Sequence, residues 1–479
     1  MSKLRVLENF AGYGSQSIAL DNLNIENEVV GISEIEPDAI IAYAAIRGCN
    51  LNKAINISTD DMKKILMDKN VGYDFQKNKS KIPRMKKDKL IQLFNADQFS
   101  NNLGDISIIK PQDVPQHDLF TYSFPCQSIS VAGNMEGIVK GQTRSGLLYE
   151  CEKIIEHCRP KYLLMENVKN LVGKKFKPQF EEWLQYLESL GYKNYWKVLN
   201  AKDFGIAQNR ERVFAVSILG DESYEFPNGF KLEKRLKDFL EDSVDDKYYL
   251  SEEIQKRFKQ TKVDDGINNI IGTTAPEFRT IGQRDLVYSQ EGTMGALVAT
   301  DYKQPKQIVD YTNVIEKADR LGGCFDDENG KHQAGSVWNK EGLCPTLDTM
   351  QGGYRQPLIT EKIKIEKVGH LECQGWHEIE TRVHSTNGLA PTVETRNRAK
   401  YLEIDKKKYN KLDFEIRKLT PRECFRLMGL SEEQINKIQQ TGLSDSAQYK
   451  LAGNSIVVNV LEGIFKNLFI NNSNSLDNR

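Results

Sequence analysis

A chain of 479 residues exceeds what a single ordinary hydrophobic core organises, so two or three domains are expected. A hydrophobic share of 39% excludes a disordered or fibrous polymer, and a formal net charge of −1 excludes a uniformly basic nucleic-acid binder, leaving that role to a local basic face. The eight cysteines hold no CxxC pair, and no apolar run reaches signal-peptide or membrane-spanning length; the expectation is a cytoplasmic chain with reduced thiols, no disulfide framework, no metal and no membrane contact.

Leu4 to Glu8 predicts a short strand, Phe10-Ala11-Gly12-Tyr13-Gly14-Ser15 a glycine turn, and Gln16 to Leu23 a helix, which together open a nucleotide-type α/β fold. Ser17 stands where a dinucleotide fingerprint has its third glycine, so the phosphate-binding signal is weak. A second strand, Glu28 to Ser33, ends at Glu34, twenty residues after Gly14, where a carboxylate can hold ribose hydroxyls. A ribose-bearing cofactor without a strong pyrophosphate loop points to S-adenosylmethionine rather than NAD. Between Met62 and Leu90 ten Lys or Arg stand against three acidic residues, which reads either as a solvated surface insertion or as an arm that contacts a nucleic-acid backbone. Gly104-Asp105-Ile106 offers a carboxylate suited to an adenine amino group, and equally an ordinary Asx turn.

Asp118 to Phe124 predicts a buried strand that Pro125 stops, placing Cys126 at its carboxyl end as a nucleophile or, alternatively, as a packed thiol. From Ser128 to Arg144 glycines recur at 133, 137 and 141 beside Lys140, the pattern of a loop able to close over a ligand or of a plain surface loop. Leu147, Leu148, Cys151, Ile154, Ile155 and Cys158 form one apolar helical stripe, which favours packing over a metal site with His157. Lys161 to Met165 predicts a strand delivering Glu166-Asn167-Val168. Period-two alternation then puts Gln208, Arg210 and Arg212 on one face, where they bind an anion or base edge or form structural ion pairs.

From about Asp221 the composition changes and a repeat emerges. Val287-Tyr288-Ser289-Gln290-Glu291-Gly292 aligns with Val337 to Gly342 and with Val383 to Gly388, at spacings of 50 and 46 residues. Pro345-Thr346-Leu347 and Pro391-Thr392-Val393 keep one offset, Gly295-Ala296-Leu297 is a degenerate copy, and Gly323 and Gly369 each precede their Val by 14 residues. Three hairpin-like units are expected. Arg417 to Gly429 then reads as a helix capped by Thr420, with Pro421 first and Glu423 third, and Gly453-Asn454-Ser455 as a turn opening an apolar helix to about Ile470.

Six of these motifs, namely Phe10 to Gly14, Pro125-Cys126-Gln127, Glu166-Asn167-Val168, Gln208-x-Arg210-x-Arg212, Arg417 to Gly429 and Gly453-Asn454-Ser455, stand in the order found in the DNA cytosine-5 methyltransferases, which the chain resembles over residues 3–220 and 415–468. The resemblance implies an α/β fold: an S-adenosylmethionine-dependent, Rossmann-like catalytic domain (1–220, resumed at 414–470) and a smaller β-rich target recognition domain (221–413); the polar composition of 471–479 marks a disordered tail. It implies Cys126 as nucleophile, Glu166 at cytosine N3, Asn167 orienting the site, and Arg212 at O2 supported by Arg210. It places the cofactor against Phe10, Ala11, Gly12 and Gly14, with Glu34 on the ribose, Asp105 and Ile106 at the adenine, and Pro125, Leu147, Asn454 and Ser455 around it. Ile35 departs from the aromatic residue that the family often carries there, so its contact is apolar packing only. DNA contacts fall by the same resemblance to Gln127, Ser128 and Arg144 on the loop, and to Thr346, Leu347, Thr392 and Val393. The implied partner is double-stranded DNA bound by a monomer, with a cognate restriction endonuclease acting on the same site without stable contact. The repeat leaves two readings, several sites each read by one unit, or one site read by a single module. An RNA cytosine-5 methyltransferase and a catalytically inactive DNA-binding regulator are the alternatives; the long recognition segment speaks against the first, and the presence of Cys126 and Glu166 against the second.

Overall fold

The computed structural model describes residues 3–75, 77–125, 144–230, parts of 234–248, the backbone of short strands between 263 and 418, and 419–471. Its centre is a six-stranded mixed sheet. The strands are β1 (Leu4–Asn9), β2 (Asn27–Ser33), β5 (Leu119–Tyr122), β6 (Tyr162–Val168), β7 (Tyr192–Asn200) and β9 (Glu211–Leu219), arranged β2-β1-β5-β6-β9-β7. Two-residue strands β3 (Tyr73–Asp74), β4 (Lys79–Ser80) and β8 (Gln208–Asn209) lie outside it. The first four strands run parallel, and β9 lies antiparallel to both neighbours.

Alternation along each strand divides the core between the two faces. Val6, Leu119, Leu164, Phe214 and Val216 join one apolar cluster; Leu7, Phe120, Leu163, Met165, Val213 and Ala215 join the other. The first is covered by α1 (Ser15–Asn22) together with the late helices Pro421–Arg426 and Val458–Phe465, so the two ends of the chain share one core. The second is covered by α5 (Leu148–Cys158) and α6 (Lys177–Ser189), and α5 buries the stripe Leu148, Cys151, Ile154, Ile155 and Cys158. Burial pushes the Cys151 thiol well above its ordinary pKa, as expected of a packing cysteine.

The segment after β2 forms α2 (Pro37–Ile46), and the basic stretch is a packed insertion rather than an extended arm. Its helices α3 (Thr59–Asp68) and α4 (Lys87–Phe99) bury Met62, Leu66, Leu90, Leu93 and Phe94 against Ile40, Ile41 and Ala44 of α2. Lys64, Lys77, Lys79, Lys86 and Lys87 stay exposed around this core.

Among the described residues of 263–413, antiparallel pairings join Asn269–Thr273 with Leu286–Tyr288, Arg320–Gly323 with Ser336–Trp338, and Lys367–His370 with Arg382–His384, and Val263–Asp264 pairs with the outer side of the first. The three longer hairpins share one register: Gly272 faces Val287, Gly322 faces Val337 and Gly369 faces Val383, each with a one-residue irregularity just before the glycine. The glycine equivalent to Gly369 is therefore Gly322, not Gly323, and the first hairpin has its own in Gly272. The one-residue difference in spacing falls between the two paired strands, after the glycine, where sequence spacing alone hides the shared register. Strand Phe414–Lys418 pairs with Leu358–Lys362, and Cys344–Pro345 runs parallel to β8, beside the arginine motif.

Candidate functional site

The chain passes from β1 to β2 on one side and crosses to β5 on the other, so the carboxyl ends of β1 and β5 border the crevice where open α/β sheets bind ligands. After β1 the backbone turns sharply, with Phe10, Gly12 and Gly14 at φ of 56°, 57° and 86°. Glycine is needed at the latter two for space as well: a β-carbon on Gly12 would lie 3.2 Å from Ser455 Oγ, and one on Gly14 2.6 Å from the Tyr43 ring. Gly14 begins α1 without a side-chain cap, and the fully buried Glu8 carboxylate substitutes by accepting the Ser17 N–H at 2.8 Å.

Glu34, just past β2, accepts the Gly12 N–H at 3.0 Å through Oε2 and the Ile35 and Glu36 N–H groups at 2.8 and 2.9 Å through Oε1. Burial raises its pKa, and these three donors oppose the rise. The turn after β1 and the end of β2 are thus joined through one carboxylate, with Ser455 against Gly12. Asp105 is buried beside them and forms the Asx turn, its Oδ1 accepting the Ser107 N–H at 3.0 Å, while Oδ2 accepts the Asn70 amide at 2.9 Å. Ile106 and Ala11 are buried, Ile35, Phe10 and Leu147 half-buried, and Asn454 exposed.

Strand β5 ends at Tyr122, and the backbone beyond it is held by side chains. Asn167 Nδ2 donates to the Phe124 carbonyl at 2.9 Å, and Ser145 Oγ to the Pro125 carbonyl at 2.8 Å. Cys126 follows Pro125 by one peptide unit but lies outside the described residues, as do Gln127, Ser128, Thr346, Leu347, Thr392, Val393, the tail beyond 471 and the Arg144 side chain.

Glu166 and Asn167 stand within β6 rather than after it, because β9 pairs with them to the end of the strand. Glu166 is 8% exposed and meets Arg212 Nε at 3.2 Å. Burial raises the Glu166 pKa, against which Arg212 and then Arg210 act.

The expected common face of Gln208, Arg210 and Arg212 is not found. The strand breaks at Arg210, whose N–H reaches back to the Gln208 carbonyl at 3.1 Å, and the side chains part. Gln208 donates to the Leu427 carbonyl at 2.8 Å; Arg210 Nη2 donates to the Gly453 and Ser455 carbonyls at 3.0 and 2.8 Å; Arg212 alone turns to Glu166. Two members of the motif hold the late chain against the sheet. Nor does Gly453-Asn454 open a helix: it closes Asp445–Asn454, and the next helix begins at Val458. No sequence signal marks Ser145, whose serine is one of many, or Glu8, whose place in a strand reads as a solvated position.

Among the described residues no group of three or more His, Cys, Asp or Glu is placed to hold a metal, and no helix is long and apolar enough to cross a membrane. Residues 82–470 match the family model described as C-5 cytosine-specific DNA methylase. The chain is 36% identical to the Type II methyltransferase M2.ScrFI of Lactococcus lactis subsp. cremoris, over 97% of its own length and 99% of the relative's. It is 28% identical to the orphan methyltransferase M.SPBetaI of Bacillus phage SPbeta, over 98% of each chain. Among solved structures, the Dnmt2 methyltransferase of S. pombe aligns over 97% of each chain at 16% identity, with a TM-score of 0.46.

Proposed function

Because the chain belongs to the C-5 cytosine-specific DNA methylase family, we propose that it methylates C5 of a cytosine flipped out of duplex DNA, through a covalent bond from Cys126 Sγ to C6. Cytosine C5 is too weak a nucleophile to attack a methyl group unaided. Addition of the Cys126 thiolate to C6, with the Glu166 carboxyl donating to N3, converts the ring into an enamine whose C5 is nucleophilic. Arg212 stabilises charge on the ring at O2. Loss of the C5 proton to a base then expels the thiolate and restores the aromatic ring.

The observation that carries this reading is the junction at the end of β6. The buried Glu166, paired with Arg212, is followed directly by Asn167, whose amide grips the chain two residues before Cys126. Burial, which raises the Glu166 pKa against the opposing pull of Arg212, favours the protonated form that donates at N3.

S-adenosylmethionine supplies an electrophilic methyl group on a sulfonium. The residues fit it: Glu34 faces a turn in which Gly12 and Gly14 have no room for a β-carbon, leaving the backbone open to close approach by a ribose, and Asp105 retains acceptor capacity beyond its two hydrogen bonds. Phe10, Ala11, Ile35, Ile106, Pro125 and Leu147 line the apolar part, and Ser455 and Asn454 close it. Residues 221–413 are the target recognition segment, acting on double-stranded DNA.

A duplex oligonucleotide carrying 5-fluorocytosine cannot release the enzyme, because the fluorine replaces the proton that must leave. We expect a covalent adduct at Cys126 in the presence of methyl donor, none with Cys126→Ala, and unimpaired DNA binding by that variant. Undiminished methyl transfer by Cys126→Ala overturns the assignment, and an adduct formed on RNA alone reassigns the substrate.

A further inference from the structure

The insertion between α2 and β5 does more than cover the sheet edge: its polar side is woven into the wall of the crevice. Just past α3, Lys69 Nζ donates to the fully buried Asp97 at 2.7 Å and to the Asn102 carbonyl at 2.8 Å, while the Lys69 carbonyl accepts the Asp105 N–H at 2.9 Å. Asn102 in turn spends its whole side chain on this wall. Its Oδ1 accepts the N–H groups of Glu34 and Gly104 at 3.1 Å each, and its Nδ2 donates to the Glu34 carbonyl and to Asp97 Oδ1 at 3.0 Å each. The Gly72 N–H reaches the Ile35 carbonyl at 2.7 Å. The backbones at Glu34 and at Asp105 are therefore clamped to one another through residues that the insertion supplies.

Within this clamp Asn70 has a distinct place. It adopts the left-handed conformation, φ 55°, and its amide Nδ2 donates to Asp105 Oδ2 at 2.9 Å, opposite the Ser107 N–H that holds Oδ1. A carboxylate fixed at both oxygens cannot rotate, so its remaining lone pairs point in set directions.

Building on the cofactor reading above, we infer that Asn70 is a positioning residue, which aims the Asp105 carboxylate at the exocyclic amino group of the adenine. The recognition of a 6-amino purine over a 6-oxo purine thus depends on a side chain from the insertion. A carboxylate accepts from the amino group and repels a carbonyl oxygen in the same place; the contrast is sharp only when the carboxylate is held still.

The test compares binding of S-adenosylhomocysteine with that of its inosine analogue, by isothermal titration, to the full-length chain and to two variants. Asn70→Gly keeps the left-handed backbone at no steric cost while removing the amide. Asn70→Asp sets a second carboxylate against Asp105. We expect the parent to prefer the adenine form, Asn70→Gly to lose about tenfold in affinity for it with little change for the inosine analogue, and Asn70→Asp to lose more. Equal losses for both ligands indicate a structural effect alone and overturn the inference, as does an unchanged preference. If the parent binds the two ligands equally or binds neither, the reading of Asp105 as the adenine contact falls, and the role of Asn70 falls with it.

Discussion

A carboxyl group inside a protein is costly to ionise, and Glu166 bears that cost. Burial raises its pKa, with Arg212 and Arg210 opposing. The folded chain therefore holds this proton at pH values where the unfolded chain has released it, so in that window stability falls as pH rises. The penalty is absent below the ordinary carboxylate range and fully in place above the raised native value. A Glu166→Gln variant, uncharged throughout, is expected to lose less stability than the parent over the same window, the gap changing by up to about 1.4 kcal/mol per pH unit. Urea midpoints of both proteins across the acid-to-neutral range check this, and parallel curves would show that Glu166 does not titrate there. The same variant is expected to lose about 10²- to 10⁴-fold in single-turnover methyl transfer, since an amide donates to N3 without being able to transfer a proton. The parent's rate should fall at pH values above the raised pKa, where the carboxyl no longer donates.

Elements built from local rules were legible and those built from distant contacts were not. The helix Pro421–Arg426 carries its capping box as read from three residues: the Glu423 N–H donates to Thr420 Oγ1 at 3.2 Å, and the Thr420 N–H donates to Glu423 Oε2 at 2.8 Å. The stripe on α5 was legible for the same reason, since a 3.6-residue period needs no partner to be seen. The arginine motif was misread because alternation holds only while a ladder continues, and the break at Arg210 depends on what Gln208 and Arg210 find in the late chain, more than two hundred residues on. Lys69, Asp97 and Asn102 were invisible for a like reason: each belongs to a clamp assembled from separate turns. The cap itself has a second layer that sequence does not show. The Glu241 N–H donates to Glu423 Oε1 at 2.8 Å, and the Thr420 hydroxyl meets the Glu241 carboxylate. Glu423 thus satisfies two backbone donors at once. Thr420→Ala is expected to cost about 1 kcal/mol, and Glu423→Ala about 2 to 3 kcal/mol because it strands both donors in the interior. Denaturant midpoints of the two variants decide this, and equal losses would mean that Glu423 acts only within its own helix.

At the scale of the whole molecule, the three hairpins share one register, but only the second is followed by a strand seen beside the catalytic sheet's arginine motif among the described residues: Cys344–Pro345 runs parallel to Gln208–Asn209. Gln208 is itself bonded to the late chain, so this short pairing ties the second unit to the framework that carries Arg210 and Arg212. On the proposal that residues 221–413 read the target DNA, a unit joined at that point is the one expected to meet the base pairs beside the target cytosine, whichever site the enzyme uses. We therefore predict one recognition module reading one site rather than three units each reading its own. Alanine in place of Thr346 and Leu347 is then expected to abolish methylation in every sequence context. Alanine in place of Thr392 and Val393 is expected to weaken it several-fold and evenly across contexts, the signature of lost non-specific contact rather than of lost base reading. Bisulfite sequencing of DNA from cells expressing each variant measures both. If each double substitution instead removes a different subset of methylated sequences and leaves the others at parental levels, the units read separate sites, and the pairing beside Gln208 is a resting place for one of several exchangeable readers.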